Sequence, residues 1–482
     1  MIRCASNAAS YCLCNGGVGA GKGAMQTAGS PSNFLPTNDN KRTAARLTDS
    51  PRPHIVRRIL FVSCNYASDY GPMVWGTYLR MRMLLEGATR AAQAVDLLLF
   101  AAPDVLPSVD PTKIAASLKT HWGLDVAVYV EPRFTGAHRG SLATLRGLFD
   151  LRHHQDYGDA GGPEQARAVA SALKPDTDLV IAHRLDASLA VVAGVAGSVP
   201  VAINFDDIEH VARSRRMARW AVSARTLLGS FEVGTLRRTE LAVLRRSQCA
   251  LVCSRGERDY LASLGVTTSI AVIHNAVAFP IAIRNVEPPG RTIMFIGSYG
   301  YEPNIEAAEE LITKIFPRVA SRVPGARLLI AGARSERLPS ARQTDPAIEI
   351  LGFIDDIAEI YSRASVACCA IRAGGGTRIK IIEAAAWQVP TVSTVLGAEG
   401  LDLDDGNEIL IAESSAQLAD ACVRLLQDPA LAAAIGAAAC AKVARSYERD
   451  AVIDQIANRL RATSEAFVRA NPNECSLPVS EP

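Results

Sequence analysis

The sequence predicts an α/β chain built as two tandem, Rossmann-like, doubly wound domains facing each other across a cleft. Three observations predict it. Short continuous apolar runs alternate with helix-like segments twice along the chain. A break rich in proline and glycine separates the two series, and 482 residues, 49% of them hydrophobic, are enough to bury a core in each. Apolar runs of this kind suit strands covered on both faces, and helices between them make the sheet parallel.

The first series begins at Arg57. "RRILFVSCNY" is a strand running into turn-forming residues, "GTYLRMRMLLEGATRA" is an amphipathic helix, and "AVDLLLFAAP" is the next strand. The alternation continues through "LDVAVYVEP", "TDLVIAHR", "PVAINFDD" and "CALVCS". The uncharged run from Ala187 to Phe205 approaches the length of a membrane span, but Gly194, Gly197, Ser198 and Pro200 interrupt it. It reads as a helix, a break at Pro200 and the buried strand "VAINF". "RNVEPPG" then breaks any regular element and reads as a linker. After it come the strands "RTIMFIGS", "ARLLIAG", "IEILGF", "SVACCAI" and "VPTVST", with helices such as "NIEAAEELITKIFPRVASRV" between them. Ligands of such sheets bind at the carboxyl ends of strands, so the cleft is the expected active site.

Composition narrows the class. A net charge of +2 gives no global drive toward nucleic acid or an anionic membrane, and no nucleic-acid partner is expected. The eleven cysteines lack paired metal-ligand spacing. Several lie in apolar strand-like runs such as "VACCAI" (Cys368, Cys369) and "ALVCS" (Cys253), which suits buried thiols in a reducing cytosol. The first fifty residues contain no continuous apolar core for a signal peptide and are rich in Gly, Ser, Ala, Asn and Thr. Within them "GGVGAGKGA", Gly16 to Ala24, imitates a phosphate-binding loop. Gly23 stands where a metal-binding Ser or Thr is needed, and no apolar strand precedes it. The expected location is the cytoplasm, or the inner face of the plasma membrane as a peripheral protein.

The most informative stretch follows the strand "SVACCAI". "RAGGGT" is the loop at its carboxyl end, and "RIKIIEAAAWQ" is the helix that starts there. Glycines let a ligand approach the backbone closely, and the exposed amides of a helix start favour anions. Arg378 and Lys380 add cationic charge suited to a diphosphate, and Glu383, one turn on, can accept hydrogen bonds from sugar hydroxyls. Spacing alone leaves a second reading open: a glycine-rich turn with solvated cations and a Glu383 that caps a neighbour.

The segment "GGGTRIKIIEAAAWQVPTVSTVLGAEGL" resembles the nucleotide-sugar signature of family 4 retaining glycosyltransferases, in the subgroup with a GGGTR-x-K-x-x-E run. "FIGSYGYEPNIEAAEEL", "GARLLIAG" and "LGFIDDIAEIYSRASVACCAIR" resemble the same family in the expected order. So do "INFDDIEH" and "ALVCSRGERDYLASLGVTTSIAVIHNAV" in the first half. The resemblance runs from about Arg57 to about Leu460 and is strongest in the second half. It implies the GT-B architecture and a metal-independent, retaining, hexosyltransferase-type enzyme. Such an enzyme moves a sugar from a nucleotide diphosphate sugar to a glycan or lipid-linked acceptor, in surface polysaccharide or glycolipid synthesis at the cell envelope. No cofactor beyond that co-substrate is expected.

The expected division is an N-terminal extension over 1–53, disordered or non-native, then an acceptor domain over 54–284. A nucleotide-sugar domain over 285–445 follows, and a helix over 446–470 crosses back to the first domain. "ALAAAIGAAACAKVARSY" and "ERDAVIDQIANRLRATSEAF" supply the closing helices, and the last dozen residues are expected to be disordered.

Site residues carry over where they match. Glu383 matches the second carboxylate of the family's E-x7-E motif, which binds the ribose in relatives. The position of the first is Gly375, so the donor sugar must be recognised by backbone amides or by another side chain. Gly374, Gly375, Gly376, Thr377, Gly397 and Glu399, with Gly297 and Asn304 from "FIGSYGYEPN", form the expected donor side. "GSYGYEPN" lacks the Arg and Lys that relatives outside the subgroup use for the diphosphate, so that duty falls to Arg378 and Lys380. His183, ending "LVIAH", matches a histidine near the transferred sugar; the other reading is a satisfied core histidine. Gly71 and Gly76 in "SDYGPMVWGTY" belong to an acceptor-side loop or to a purely structural turn.

Asp206, Asp207, Glu209 and His210 admit two readings, a metal cluster or a helix cap, and the resemblance favours the cap. Cleavage of the sugar–diphosphate bond places negative charge on the leaving group, which Arg378, Lys380 and helix amides would stabilise. The departing phosphate would help deprotonate the acceptor on the same face, so no protein nucleophile is named. The arginine-rich stretch from Ala212 to Arg246, with Trp220, is either a seat on anionic lipid or a solvated helix pair. Two rival functions remain: a catalytically silent binding subunit of the same fold, and a tandem Rossmann oxidoreductase. The second is disfavoured because no G-x-G-x-x-G turn follows the first strand of either domain.

Overall fold

The computed structural model describes residues 55–71, 76–133, 162–218, 224–280 and 290–472. The expectations for the 1–53 extension, the Gly16–Ala24 loop, the 284/285 junction, Trp220 and the last ten residues lie outside them.

Among the described residues thirteen strands form two sheets, and every strand pair in both is parallel. The first sheet holds β1 (Val56–Ser63), β2 (Ala92–Ala101), β3 (Ala127–Pro132), β4 (Thr177–His183), β5 (Val201–Asn204), β6 (Cys249–Val252) and β7 (Ser269–Val272), in the order β3-β2-β1-β4-β5-β6-β7. The second holds β8 (Thr292–Ile296), β9 (Arg327–Ala331), β10 (Ile348–Gly352), β11 (Val366–Cys369), β12 (Thr391–Ser393) and β13 (Leu410–Ile411), in the order β10-β9-β8-β11-β12-β13. Each sheet starts at its middle and winds outward both ways. The order reverses between β1 and β4 and again between β8 and β11, and ligands of open α/β sheets bind outside the carboxyl ends at such points.

The central strands are apolar along their whole length because helices cover both faces. Ile59, Leu60, Phe61 and Val62 of β1 are fully buried, as are Leu328, Leu329, Ile330 and Ala331 of β9. The uncharged run from Ala187 resolves as expected into a helix, Arg184–Val195, and the buried strand β5. β7 and β13 extend the sheets beyond the strands read from the sequence. β13 has two residues, too few to show a period.

Register places chemistry at one edge. Ser63 of β1 lies beside His183 of β4, and His183 lies beside Asn204 of β5, so three polar residues line up at the carboxyl ends of adjacent strands.

After the second sheet the chain runs through the helix Pro429–Ser446 and then the helix Arg449–Ala470, which returns to the first domain. Val452, Ile453, Ile456, Ala457 and Leu460 join the first domain's core. Arg449 pairs with Glu86, and Arg90 pairs with Asp450 at 2.6 Å and Asp454 at 2.8 Å. Among the described residues no single helix is long and apolar enough to cross a membrane. All cysteines there are free thiols, and each but Cys440 is buried.

Candidate functional site

The loop after β11 enters the helix Ile379–Ala386 through three glycines. Gly374 and Gly376 have φ of 99° and 67°, a left-handed backbone that side chains disfavour. Arg378 immediately precedes the helix and is only 8% exposed. Its Nη1 donates to the carbonyls of Gly375 and Gly376, which fixes the guanidinium against its own loop. Its Nη2 is buried without a partner among the described residues and lies 3.7 Å from where a Cβ on Gly374 would stand. A buried, unsatisfied cationic donor at a helix start is a seat for an anion.

Lys380 shares the first helical turn. Its Nζ donates to Asn304 Oδ1 at 2.8 Å, lies 4.2 Å from the centre of the Phe295 ring and stands 3.0 Å from a Cβ built on Gly297. Asn304, on the helix Glu302–Glu310, donates in turn to the Ser298 carbonyl at 2.9 Å. Gly297, Asn304 and Lys380, far apart in sequence, thus meet at the carboxyl end of β8. Burial pushes the Lys380 ammonium down to about 8, and the charge of Arg378 acts in the same direction. Glu383 follows on the same helix, where its Oε2 accepts from the Tyr361 hydroxyl at 3.2 Å. Tyr361 is itself stacked on Trp387. Burial raises the Glu383 carboxyl, against the pull of Tyr361 and Lys380.

Three expected donor residues have structural partners. Thr377 Oγ1 accepts from Asn275 Nδ2 of the first domain at 2.8 Å. Glu399 is held by both arms of the Arg215 fork, with Nη2 to Oε1 at 2.6 Å. Gly397 is a packing glycine in the turn capped by Thr394, because a side chain there would collide with Ser393.

On the facing domain His183 is fully buried at the end of β4. Its Nδ1 is 3.0 Å from Ser63 Oγ, and its Nε2 has no hydrogen-bond partner among the described residues and stands 3.6 Å from Asp206 Oδ1. Asp206 Oδ1 accepts from Asn204 Nδ2 at 2.7 Å. Asn204 Oδ1 accepts from Arg80 Nε and Nη2 at 3.1 and 3.0 Å, and Arg80 Nη1 donates to the Ile273 carbonyl at 2.6 Å. A buried arginine on the helix Gly76–Ala91 therefore anchors the chain Asn204–Asp206–His183 from behind. Burial by itself would raise the Asp206 carboxyl, but His183, Arg184 and Arg80 outweigh it and hold it at about 2. For neighbouring Asp207 burial wins and the carboxyl is raised, with Asp206 adding to the effect. Arg184, next to His183, has a φ of 70°, an uncommon backbone for a non-glycine residue.

The acidic run does not converge on one point. Asp206 faces His183, Glu209 lies 3.6 Å from Arg184, and His210 pairs with Glu240 while its Nε2 is 2.8 Å from the Tyr260 hydroxyl. Glu240 also accepts from the Glu209 amide at 2.8 Å, so it fastens the start of the helix Glu209–Met217.

The two domains touch through the glycine run. A Cβ on Gly376 would stand 2.8 Å from the Asp206 carbonyl, and one on Gly375 would stand 2.9 Å from Asp207 Cβ. Gly76 opens its helix rather than lying in a loop, and a Cβ there would be 3.6 Å from Ile379 of the second domain. Gly71 packs on the His121 ring, 2.9 Å from a built Cβ, which supports the structural-turn reading. Sequence reasoning missed Arg80, Asn204 and Tyr301, whose hydroxyl packs against Gly374. For Arg80 a signal existed: it falls on the same helical face as Leu84 and Gly87, where an apolar residue is expected.

Residues 290–428 match the family described as "Glycosyl transferases group 1". No curated protein matches the chain. Among solved structures the chain is similar to Anabaena HepE in complex with UDP and glucose, at 17% identity and TM-score 0.56, covering 84% of this chain and 100% of that one. It is similar to sucrose-phosphate synthase from Thermosynechococcus elongatus at 16% identity and TM-score 0.59, covering 85% and 100%. S. aureus TarM gives 11% identity and TM-score 0.57, covering 84% and 99%. The two parallel sheets that meet through the carboxyl-end loops of β5 and β11 thus form a GT-B fold, and the stretch that matches the group 1 glycosyl transferase family, residues 290–428, is the one that carries the glycine run, Arg378, Lys380 and Glu383.

Proposed function

We propose that this protein is a retaining, hexosyltransferase-type glycosyltransferase that takes its sugar from a nucleoside diphosphate sugar. The single observation that carries the reading is the buried, unpartnered Nη2 of Arg378 at the start of the helix Ile379–Ala386, beside the glycine run and within one turn of Lys380. In this reading Arg378, Lys380 and the first helix amides bind the diphosphate and stabilise it as it leaves. They supply the positive charge that the leaving group needs, so no metal is required. Glu383 binds the ribose, and the Nε2 of His183 faces the reacting sugar. The departing phosphate takes the acceptor proton on the face it vacates, so the anomeric configuration is retained. Solved neighbours support the donor class: Anabaena HepE was solved with UDP-glucose.

The first domain binds the acceptor, a glycan or a lipid-linked saccharide of surface polysaccharide or glycolipid synthesis. The cationic helices Glu209–Met217 and Ala224–Leu244 would rest on the inner face of an anionic membrane, with the protein otherwise cytoplasmic.

The test is a thermal-shift and hydrolysis screen against UDP, GDP, ADP and their sugar conjugates, run on the wild type and on Arg378→Ala, Lys380→Ala. A ligand at about a hundred times its Kd adds about 2.7 kcal/mol of stability, which is readily seen as a rise in Tm. Stabilisation by one base, lost in the double variant and joined by slow sugar release, is the expected result. Binding without release in the presence of a lipid acceptor fraction would instead indicate a silent binding subunit.

A further inference from the structure

We infer that Asp207 of the first domain supplies the sugar-binding carboxylate that position 375 of the second domain lacks, so that the two domains share the donor-sugar subsite. This rests on the donor reading above and assigns a specificity-determining residue to it.

The argument begins with why residue 375 is a glycine. Its φ is not left-handed, unlike those of Gly374 and Gly376, so the backbone there makes no demand for glycine. Space does. A Cβ at 375 would stand 2.9 Å from both Asp207 Cβ and Asp207 Oδ2, and 3.0 Å from Asp207 Cγ. Because the first of these atoms is fixed to the backbone, turning the carboxylate aside does not relieve the conflict. The volume that a side chain at 375 would use is occupied by Asp207, which brings a carboxylate to the same place from the opposite domain.

The surroundings say what that carboxylate faces. Arg378 Nη2, buried and unpartnered, marks one side of the glycine run, and Asp206 Oδ2 is likewise buried without a partner among the described residues. A phosphate is attracted by Arg378 and repelled by two adjacent carboxylates. A sugar hydroxyl, a neutral donor, is the group an Asp carboxylate accepts from. The loop therefore sorts the donor's two ends, with the diphosphate toward Arg378 and Lys380 and the sugar toward Asp207. Burial raises the Asp207 carboxyl, and Arg184, Arg378 and Arg216 oppose that rise.

The test compares affinities for UDP and UDP-glucose, with GDP and GDP-mannose in parallel, by calorimetry. Asp207→Ala keeps the Cβ that packs on Gly375 and removes only the carboxylate. We expect the affinity for the bare nucleotide to stay within about twofold, while the sugar conjugate loses about tenfold or more, the scale of one charge-assisted hydrogen bond. Gly375→Glu alone should disrupt binding by collision with Asp207. Asp207→Gly combined with Gly375→Glu should recover much of the preference for the conjugate. A merely structural role would weaken nucleotide and conjugate alike and lower Tm, and that result overturns the inference. So does a wild type that binds the nucleotide with no difference between bare and conjugated forms. If the wild type binds neither nucleotide in either form, the donor reading itself is what fails.

Discussion

Lys380 carries a charge in a niche that only partly hydrates it. Its ammonium sits over the Phe295 ring with Asn304 Oδ1 as partner, and burial lowers it from 10.5 to about 8. The sign of the consequence differs for folding and for binding. Between about 8 and 10.5 the unfolded chain holds a proton that the folded chain has released, so this residue's contribution makes the fold more stable as pH rises through that window. A diphosphate bound at the proposed site would reverse the cost of burial and restore the proton. Nucleotide affinity should therefore fall above about pH 8, by up to about tenfold per pH unit, and Lys380→Arg should flatten that fall because a guanidinium stays charged. Calorimetry across the range checks this; a flat wild-type profile would remove Lys380 from the phosphate site. His183 is positioned by its neighbours. The buried Arg80 guanidinium makes its hydrogen bonds to Asn204 and to backbone carbonyls, and through Asn204 it orients Asp206 beside the His183 ring.

At the scale of elements, the returning helix Arg449–Ala470 depends on one glycine. Gly87 lies on the buried side of the helix Gly76–Ala91, and a Cβ there would stand 2.7 Å from Ile456 Cβ and collide with its methyl. Gly87→Leu gains about 0.8 kcal/mol of helix propensity. The overpacking that opposes it costs about 1–3 kcal/mol or more, so destabilisation should win by a clear margin. Ile456→Ala alone should cost about 2–5 kcal/mol by leaving a cavity, and the double variant should lose less than the two losses combined, because each substitution makes room for the other. Urea unfolding of the four proteins tests the coupling. The contact also shows what a sequence can disclose. The helix Gly76–Ala91 and the strand runs were legible because period and length mark them, and the glycine-rich loop proposed to hold the donor was singled out because glycines and cations cluster at a strand's carboxyl end. The meeting of Gly87 with Ile456, or of Gly375 with Asp207, involves residues from distant segments whose own neighbours carry no sign of the partner.

At the scale of the compact unit His54–Pro482, closure is distributed over small contacts. Glu399 takes Arg215 across the domain boundary, Thr377 accepts from Asn275, and Arg255 lies 3.5 Å from Asp402. Beside them the glycine run presses on Asp206 and Asp207, and a Cβ on Gly400 would stand 3.0 Å from Ser254 Cβ. The Arg215 and Glu399 side chains are 34% and 43% exposed, so their pair contributes no more than about 1 kcal/mol to folding. The same energy has a larger effect on an opening equilibrium, where the open and closed forms differ by only a few kcal/mol. Glu399→Ala should accordingly leave the unfolding midpoint nearly unchanged. It should speed hydrogen exchange at residues 374–377 several-fold and raise the KM for the nucleotide sugar more than it lowers kcat. Exchanging the charges, Arg215→Glu with Glu399→Arg, should restore slow exchange if the pair acts as a latch. Persistent fast exchange in that double variant would show that Glu399 acts on the donor directly, and unchanged exchange in Glu399→Ala would show that Asn275 and the glycine contacts hold the cleft shut without it.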